Sequence, residues 1–155
     1  MPDQHPTLGF LLHDVARFLR KRFEQRAGNL GLTRSQWQAI AFLSKNEGIH
    51  QAALAEMLEI EAITLVRILD KLVERGLVER RQHPTDRRVW QLFLKEEAHP
   101  ILVEMQKLGE ATRAEALSGL AEADRDKLLS ILSQIKCNLI AVSRKPAADK
   151  EVSYG

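Results

Sequence analysis

The chain has 155 residues, one cysteine, 45% hydrophobic residues and a formal net charge of +2. This length predicts a single compact unit, or one small domain with appended helices. One cysteine excludes an intrachain disulfide framework and fits a reducing compartment, so we expect a cytoplasmic protein. No apolar run is long enough to span a bilayer, and the N-terminus does not resemble a signal peptide, so no membrane association is expected. With so small a net charge, nucleic-acid binding would have to rest on local clusters of basic residues.

The first two predicted elements are amphipathic helices. Residues 8–26 form one helix, whose apolar side chains recur at helical spacing on one stripe: Leu8, Leu11, Leu12, Val15, Leu19 and Phe23. The second helix begins near Thr33, because Thr33 and Gln36 have the spacing of a capping box. It is expected to bury Trp37, Ile40 and Leu43.

Two helices joined by a very short turn are predicted in the middle of the chain. Residues 51–58 form a short, alanine-rich helix, and only residues 59–61 separate it from the next helix, as a helix-turn-helix requires. Gln51, at the start of the first of these helices, is a candidate phosphate contact.

The second of these helices, here called the recognition helix, has two distinct sides. One side carries core-type residues: Leu65, Ile68, Leu69, Leu72 and Val73. The other side carries Ile63, Thr64, Arg67, Asp70, Lys71 and Glu74. An exposed Ile63 could contact thymine methyl groups, and Thr64 and Arg67 could bind bases or phosphates. The alternative is that Ile63 packs beneath a neighbouring loop and Arg67 is merely solvated. Taken alone, the helix favours this alternative.

A basic β-hairpin is predicted directly after this helix, and it makes the DNA-binding interpretation of the helix the more probable of the two. Gly76 is typical of a left-handed helix stop, and residues 77–82 and 88–94 are the predicted strands. Pro84, Thr85 and Asp86 are turn formers. On the second strand, one face is expected to carry the alternating residues Trp90, Leu92 and Leu94.

Arginines crowd this hairpin. Arg80, Arg81, Arg87 and Arg88 are opposed within it only by Glu79 and Asp86. Such a cluster on an exposed tip costs self-repulsion unless a polyanion binds there. Arg88 could enter an A·T-rich minor groove, with Asp86 orienting it through an ion pair. An ordinary solvated cluster is the alternative, but helix and hairpin together favour a winged helix-turn-helix that binds double-stranded DNA.

The C-terminal part predicts two long helices, residues 96–117 and 122–143, with Pro100 in the first turn of the former. The last helix carries apolar residues with a 3.5-residue period, which is typical of a helix-packing seam: Leu128, Leu132, Ile135, Leu139 and Val142. Ile101, Met105, Leu108 and Thr112 repeat the pattern more weakly. Either these two helices pack on each other or they form a symmetric dimer, and we favour a homodimer. Residues 146–155 are expected to be a flexible tail.

Taken together, these elements resemble the MarR family of bacterial transcription regulators, and within it the SlyA-like branch. The resemblance spans residues 8–140 and is carried by LVRILDKLVERGLVER at 65–80, by Asp86-x-Arg88 with Leu92 and Leu94, and by LTRSQW at 32–37. It implies a mainly α fold with a small β-hairpin wing. The winged helix-turn-helix, residues 31–95, would be inserted between dimerisation helices from residues 1–30 and 96–145.

The resemblance also implies where DNA would be contacted. The recognition helix would use residues near its N-terminus, Arg88 would enter the minor groove with support from Asp86, and Arg87 would lie near the backbone. The full predicted DNA-contacting set is Gln51, Ala62, Ile63, Thr64, Arg67, Lys71, Arg80, Asp86, Arg87 and Arg88. A two-fold dimer would place two recognition helices about one DNA turn apart (~34 Å) on a pseudo-palindromic site.

Three positions depart from this resemblance. Many relatives have glycine at the position of Glu59, proline at that of Ile63 and a capping threonine at that of Lys95. Glu59 must therefore accept the backbone angle that glycine usually supplies. Ile63 is expected to alter sequence preference rather than the fold.

Many relatives bind small anionic, often aromatic molecules between the dimerisation helices and the DNA-binding lobe. The candidate ligand-binding residues are His13, Arg17 and Trp37, since Arg17 could pair with a carboxylate and Trp37 could stack on a ring. His13 and Arg17 lie opposite the apolar stripe of the first helix, so solvated surface is at least an equal alternative. A ligand would act by changing the separation of the two recognition helices.

Two other classes of function compete with this interpretation of the sequence. An enzyme is disfavoured, because the five histidines are scattered and there is no HExxH-like pair or glycine-rich phosphate loop. The cluster of Glu56, Glu59 and Glu61 lacks an adjacent histidine or cysteine, and Cys137 is expected to be a packed thiol, so no catalysis, thiol switch, metal or cofactor is expected. A winged-helix module that binds only proteins is the remaining alternative, and the arginine-rich tip argues against it.

Overall fold

A computed structural model describes residues 6–144, which form six α-helices and a two-stranded antiparallel sheet. The elements in chain order are α1 Leu8–Arg26, α2 Arg34–Ser44, α3 Gln51–Met57, α4 Ala62–Glu74, β1 Val78–Gln82, β2 Trp90–Leu94, α5 His99–Ala116 and α6 Glu122–Ser143. Single 3₁₀ turns follow α1 at Ala27–Asn29 and precede α5 at Glu96–Ala98. This confirms the predicted fold class, a mainly α protein with a β-hairpin wing. The predicted flexible tail, residues 146–155, lies outside the described residues.

The chain divides into two compact units, the first ending at Arg113 and the second beginning at Ala114. The core of the first unit is a leucine-rich cluster to which α2, α3, α4 and both strands contribute. Its fully buried members include Ile40, Leu43, Leu54, Leu65, Leu69, Leu72, Val78 and Leu92. Val73, predicted for this core, is 38% exposed. It lies at the margin of the apolar stripe of α4, about 80° from Leu65, where the stripe meets solvent.

The predicted capping box at the start of α2 is present. The Gln36 backbone N–H donates to Thr33 Oγ1 (3.3 Å), and the Thr33 N–H donates to Gln36 Oε1 (3.1 Å). Two of the N–H groups that lack helical partners at a helix start are thereby satisfied. Trp37 is half-buried rather than buried, with its ring centroid 4.5 Å from that of Phe23.

Glu59 connects α3 to α4 with a φ of +54°, the single positive φ of a non-glycine residue in the described part of the chain. The Ile60 N–H donates to the Ala55 carbonyl (3.1 Å), which closes the end of α3. The expectation that Glu59 takes up a glycine-like angle is confirmed. The packing of α3 and α4 in one core holds the turn in this conformation.

The two strands of the wing are shorter than predicted. Gly76 has a φ of +72° and ends α4 as expected, and β1 pairs with β2 in the register Val78↔Leu94 to Gln82↔Trp90. A third strand-like segment, missed from the sequence, lies beside β2: the Gly48 N–H donates to the Leu92 carbonyl (2.8 Å), and the Leu92 N–H to the Ile49 carbonyl (3.0 Å). The segment is too short to show an alternating pattern. Trp90 shares a face with buried Leu92, yet it is 42% exposed because it lies beyond the packed base of the wing.

The helix α5 begins at His99, three residues later than predicted, with Pro100 in its first turn. Its side chains Met105 and Thr112 are buried, and Thr112 Oγ1 donates to the Leu108 carbonyl (2.8 Å). None of the helices within residues 6–144 is long and apolar enough to cross a membrane.

In the second unit, α6 follows a turn at Gly119, whose φ is +85°. Arg125 closes this turn by donating to the carbonyls of Leu117 (3.0 Å) and Leu120 (3.2 Å). Along α6, no residue is buried within the part of the chain that the structure describes. Cys137 is exposed, so the prediction of a packed thiol is wrong for this chain. Cys137 lies on the side of α6 opposite the predicted seam.

Candidate nucleic-acid interface

The N-terminal end of the recognition helix α4 is exposed. Ala62, Ile63, Thr64 and Arg67 are all exposed, whereas Leu65 on the other side is fully buried. Ile63 is 57% exposed, so the alternative that it packs beneath a loop is wrong. An aliphatic side chain displayed among polar ones at the start of a helix is suited to contact with base edges. Gln51, at the start of α3, is half-buried.

The wing presents one arginine held in a defined orientation. Arg88 Nε and Nη2 donate to the two carboxylate oxygens of Asp86, at 3.2 and 3.4 Å, and the Arg88 backbone N–H donates to Asp86 Oδ1 at 3.1 Å. The predicted ion pair is therefore present. The hydrogen bonds from Arg88 hold the pKa of the Asp86 carboxyl below its usual value. The Arg88 side chain remains 91% exposed, so a docking polyanion would meet it directly.

Arg80 is not part of this exposed tip, which corrects the prediction from the sequence. Arg80 Nη2 lies 2.7 Å from Asp70 Oδ1 and 3.3 Å from the Val66 carbonyl, both on α4. Its side chain is only 24% exposed. Side chains alternate along β1, and Arg80 lies on the face that packs on α4, where Asp70 neutralises its charge. Asp70 lies outside the hairpin, and the prediction from the sequence considered only acidic residues within it.

Arg81 is also engaged, on the opposite face of the wing. Its guanidinium pairs with Glu79 at 2.8 Å and lies 4.1 Å from the centroid of the Phe93 ring. The hydrogen bond from Arg81 lowers the pKa of Glu79, and the same bond raises the pKa of Arg81. Arg80 and Arg81 are therefore both held by residues of the strands or of α4, whereas Arg87 and Arg88 lie on the turn between the strands. Arg87 is exposed and has no ion-pair partner within residues 6–144.

The turn before Asp86 contains a histidine contact that sequence reasoning missed. The Thr85 N–H donates to His83 Nδ1 (3.2 Å), and the His83 ring centroid lies 5.9 Å from that of His50 at the start of α3. His50 in turn forms a β-bridge with Gln91 of β2. The two imidazole rings thus lie near each other where the wing meets the start of α3, next to the backbone bridge between His50 and Gln91. Nothing in the spacing of two histidines 33 residues apart could have indicated this contact.

Trp37 borders two open clefts in the first unit. One, of about 580 Å³, is lined in part by Arg20, Arg34, Phe42, Met57 and Glu59. The other, of about 500 Å³, is lined in part by Phe23, Lys45, Met105 and Arg113. His13 and Arg17 line neither cleft, so the structure does not bring them together with Trp37. Arg17 instead pairs with Asp14 (3.5 Å) and lies over the Phe18 ring (4.3 Å).

Helix α4 and the wing, with its oriented arginine, define the class of this protein as a winged helix-turn-helix. Residues 30–89 match the sequence model of the MarR family. The transcriptional repressor CouR, solved bound to a 23-mer DNA duplex, is 30% identical with a TM-score of 0.68, covering 84% of this chain and 92% of CouR.

Two further solved structures share the fold at lower identity. Apo MarR from E. coli is 24% identical with a TM-score of 0.75, over 85% of this chain and 98% of that one. A MarR transcriptional regulator from Methanosarcina mazei Go1 is 23% identical with a TM-score of 0.76, over 87% and 97%. The chain belongs to the MarR family, whose members are transcription regulators rather than enzymes.

Proposed function

We propose that this chain is a sequence-specific regulator of the SlyA-like type that binds double-stranded DNA and acts as a repressor in the cytoplasm. The observation that carries this proposal is the pairing of an exposed helix start, at Ile63 and Thr64, with a fully displayed and oriented Arg88 on the wing. The first suits a major groove and the second a minor groove. The DNA-bound state of CouR, 30% identical to this chain, supports the same use here.

The proposed contacts follow the predicted set with one change. Ala62, Ile63, Thr64, Arg67 and Lys71 would face the major groove and its edges, Arg88 the minor groove, Arg87 the DNA backbone beside it, and Gln51 a phosphate. Asp86 would orient Arg88. Arg80 would hold the wing against α4 rather than contact DNA, because its guanidinium is already paired with Asp70.

We further propose that the protein is a homodimer on a pseudo-palindromic operator, with residues 31–95 as the DNA-binding domain between dimerisation helices from residues 1–30 and 96–145. Large apolar side chains remain exposed on both proposed dimerisation elements: Leu8 57%, Phe10 74%, Val15 48%, Leu139 66% and Val142 65%. Monomeric soluble proteins rarely expose apolar surface so extensively, and a second copy of the chain would cover it.

A small aromatic carboxylate is the proposed effector. The clefts beside Trp37 offer an aromatic surface with a cation at hand, Arg20 or Arg34 in one and Lys45 or Arg113 in the other. In the first cleft Arg34 already pairs with Glu24 at 3.1 Å, which leaves Arg20 as the better anchor there. His13 and Arg17 are not included in the proposed effector site, because they line neither cleft.

A mobility-shift assay with sheared genomic DNA across a salt series tests the DNA-binding proposal. We expect a shift that weakens as salt rises, since phosphate contacts release counterions. An absent or salt-insensitive shift would instead favour a module that binds only proteins. Selection and sequencing of the bound fragments should then return an inverted repeat whose half-sites lie about 10 base pairs apart.

A further inference from the structure

A shallow pocket of about 310 Å³ lies between the start of α2 and one side of the recognition helix. Its lining residues are Thr33, Ser35, Gln36, Arg67, Ile68 and Lys71. We propose that this pocket binds one phosphate of the DNA backbone, so that Arg67 and Lys71 act as phosphate contacts and not as base contacts. The inference rests on the proposed DNA binding and narrows the role of two of its residues.

Two cations share the pocket without a carboxylate to neutralise them. Arg67 and Lys71 are four residues apart, so they lie on one side of α4, where like charges repel. Neither forms an ion pair within the described residues. The acidic residue between them, Asp70, is turned to the other flank and held by Arg80 at 2.7 Å. An anion bound in the pocket would relieve the repulsion between the two cations.

Ser35 adds a neutral donor to the pocket. The Thr33 and Gln36 side chains bond each other's backbone N–H groups in the capping box, so they satisfy the helix start. Ser35 is exposed, and its hydroxyl has no hydrogen-bond partner in the part of the chain that the structure describes. Arginine, lysine and serine side chains are the usual donors to backbone phosphates, which fix the register of a protein on a duplex.

The position of the pocket along α4 separates it from the base-contacting end. Base edges are reached by the first residues of a recognition helix, here Ala62 to Thr64, whereas Arg67 and Lys71 lie one and two turns further along. The pocket is also lined by the start of a second helix, α2. When a recognition helix lies in the major groove, the helix beside it lies over the DNA backbone at the edge of that groove.

A duplex phosphate fits this pocket better than a free anion does. The pocket is shallow and its two cations, Arg67 and Lys71, are exposed to water, so a free phosphate would compete poorly with water for them. A phosphate carried on a duplex is held in place by every other contact of the interface, which raises its effective concentration in the pocket.

Affinity and salt dependence of two variants test the proposal: Lys71→Ala and Arg67→Lys. Each is measured on the selected duplex and on an unrelated duplex of equal length. Lys71→Ala should weaken binding to both by the same factor, about tenfold, and lower the slope of log K against log salt by about 0.9 per pocket. Arg67→Lys keeps the charge, so it should keep the preference for the selected duplex. Lys107→Ala, which removes an exposed lysine on α5, is the matched control and should change neither quantity.

The phosphate itself can be located by replacing single backbone phosphates with neutral methylphosphonates. At one phosphate position per half-site, this replacement should lower the affinity of the wild-type protein. It should lower the affinity of Lys71→Ala little further, because that variant already lacks the interaction with this phosphate. That non-additivity is the signature of a direct pair in a double-mutant cycle. If no position behaves in this way, the pocket assignment is overturned.

The remaining outcomes separate the pocket from the proposed function. Loss of preference for the selected duplex in Arg67→Lys would make Arg67 a base contact and refute the pocket assignment, while DNA binding itself would stand. If inorganic phosphate raises the Tm of wild type but not of Lys71→Ala, and the salt slope is unchanged, the pocket holds a small anion instead of DNA. A wild-type protein that binds neither duplex would refute the proposed function as well. Unchanged circular dichroism and Tm without phosphate confirm that the variants fold.

Discussion

Arg80 on β1 and Asp70 on α4 are joined by an ion pair of 2.7 Å, and the Arg80 guanidinium also lies 3.3 Å from the Val66 carbonyl. The wing is thus attached to the recognition helix by a side chain near its base, in addition to the backbone turn at Gly76. Since both elements are proposed to contact one duplex, this attachment sets the angle at which Arg88 and Ile63 are presented together.

Asp70→Asn should loosen this attachment. We expect the free energy of unfolding to fall by about 0.5–1 kcal/mol, the range of a partly exposed ion pair, because Asp70 is 59% exposed. Urea denaturation measures this change. Glu74→Gln, one turn further along α4, removes the same charge from an exposed residue and should shift stability by less than about 0.5 kcal/mol. DNA affinity should fall more in Asp70→Asn than in Glu74→Gln. Equal affinities would show that the ion pair does not position the wing.

Glu59→Gly should stabilise the protein. A side chain at a φ of +54° is strained by about 1–2 kcal/mol, and glycine adopts this angle freely, although its flexible unfolded state offsets part of the gain. We expect a net gain of about 0.5–1 kcal/mol in thermal or urea unfolding. Glu59→Ala is the control, because it removes the same carboxylate but keeps a Cβ. If Glu59→Ala gains as much stability as Glu59→Gly, the gain comes from removing the carboxylate side chain and not from relieving the backbone angle.

The Asp86–Arg88 pair should survive across the physiological pH range. The pKa of Asp86 is lowered by hydrogen bonds from Arg88, so the folded state binds this proton at a lower pH than the unfolded state. The stabilisation is therefore complete above the ordinary pKa of aspartate and is lost only as the pH falls through the lowered value. Carboxyl NMR titration should show this depression, with the pKa rising toward the ordinary value in Arg88→Ala. In Arg87→Ala the pKa of Asp86 should stay low. If the pKa rises in Arg87→Ala as well, the overall positive charge of the wing tip, and not the bond from Arg88, lowers it.

Arg88→Ala and Arg81→Ala test which wing arginine meets DNA. Arg88 is displayed, whereas Arg81 is held by Glu79 and the Phe93 ring. Arg88→Ala should cost about 1–3 kcal/mol of specific binding and relax the preference for A·T flanks, measured by fluorescence anisotropy on flank-substituted duplexes. Arg81→Ala removes the same charge and should cost much less. A comparable loss in both variants would point to general charge neutralisation by the wing.

Leu139→Asp should dissociate the proposed homodimer. Leu139 is 66% exposed on α6, so a second chain packed along that seam would bury the new carboxylate at high cost. Sedimentation velocity should give a dimer for the wild type and a shift toward monomer for the variant. Ser130→Asp adds the same charge on the opposite side of α6 and should stay dimeric. A monomeric wild type would contradict the dimer directly.

Features that depend on neighbouring residues in the sequence were predictable. The bounds of α1, the capping box of Thr33 and Gln36, the stop at Gly76 and the pair of Asp86 with Arg88 all follow from spacings of a few residues. At such range the backbone leaves few geometries, so the chain itself determines the outcome. The positive φ of Glu59 was expected from the family resemblance, because many relatives have glycine at that position.

Contacts between distant segments were decided only by the tertiary structure. Four hairpin arginines look equivalent in the sequence. In the structure, β1 packs on α4 and Arg80 pairs with Asp70, whereas Arg81, on the opposite face, contacts Glu79 and Phe93. Packing likewise brings His83 to His50, places Ser35 beside Arg67, and leaves His13 and Arg17 outside the clefts at Trp37. Local composition determined that cations would gather on the wing. Which of them remain free for a partner was decided by strand alternation and helix packing, because a charge neutralised by a residue far along the chain is no longer available to a ligand.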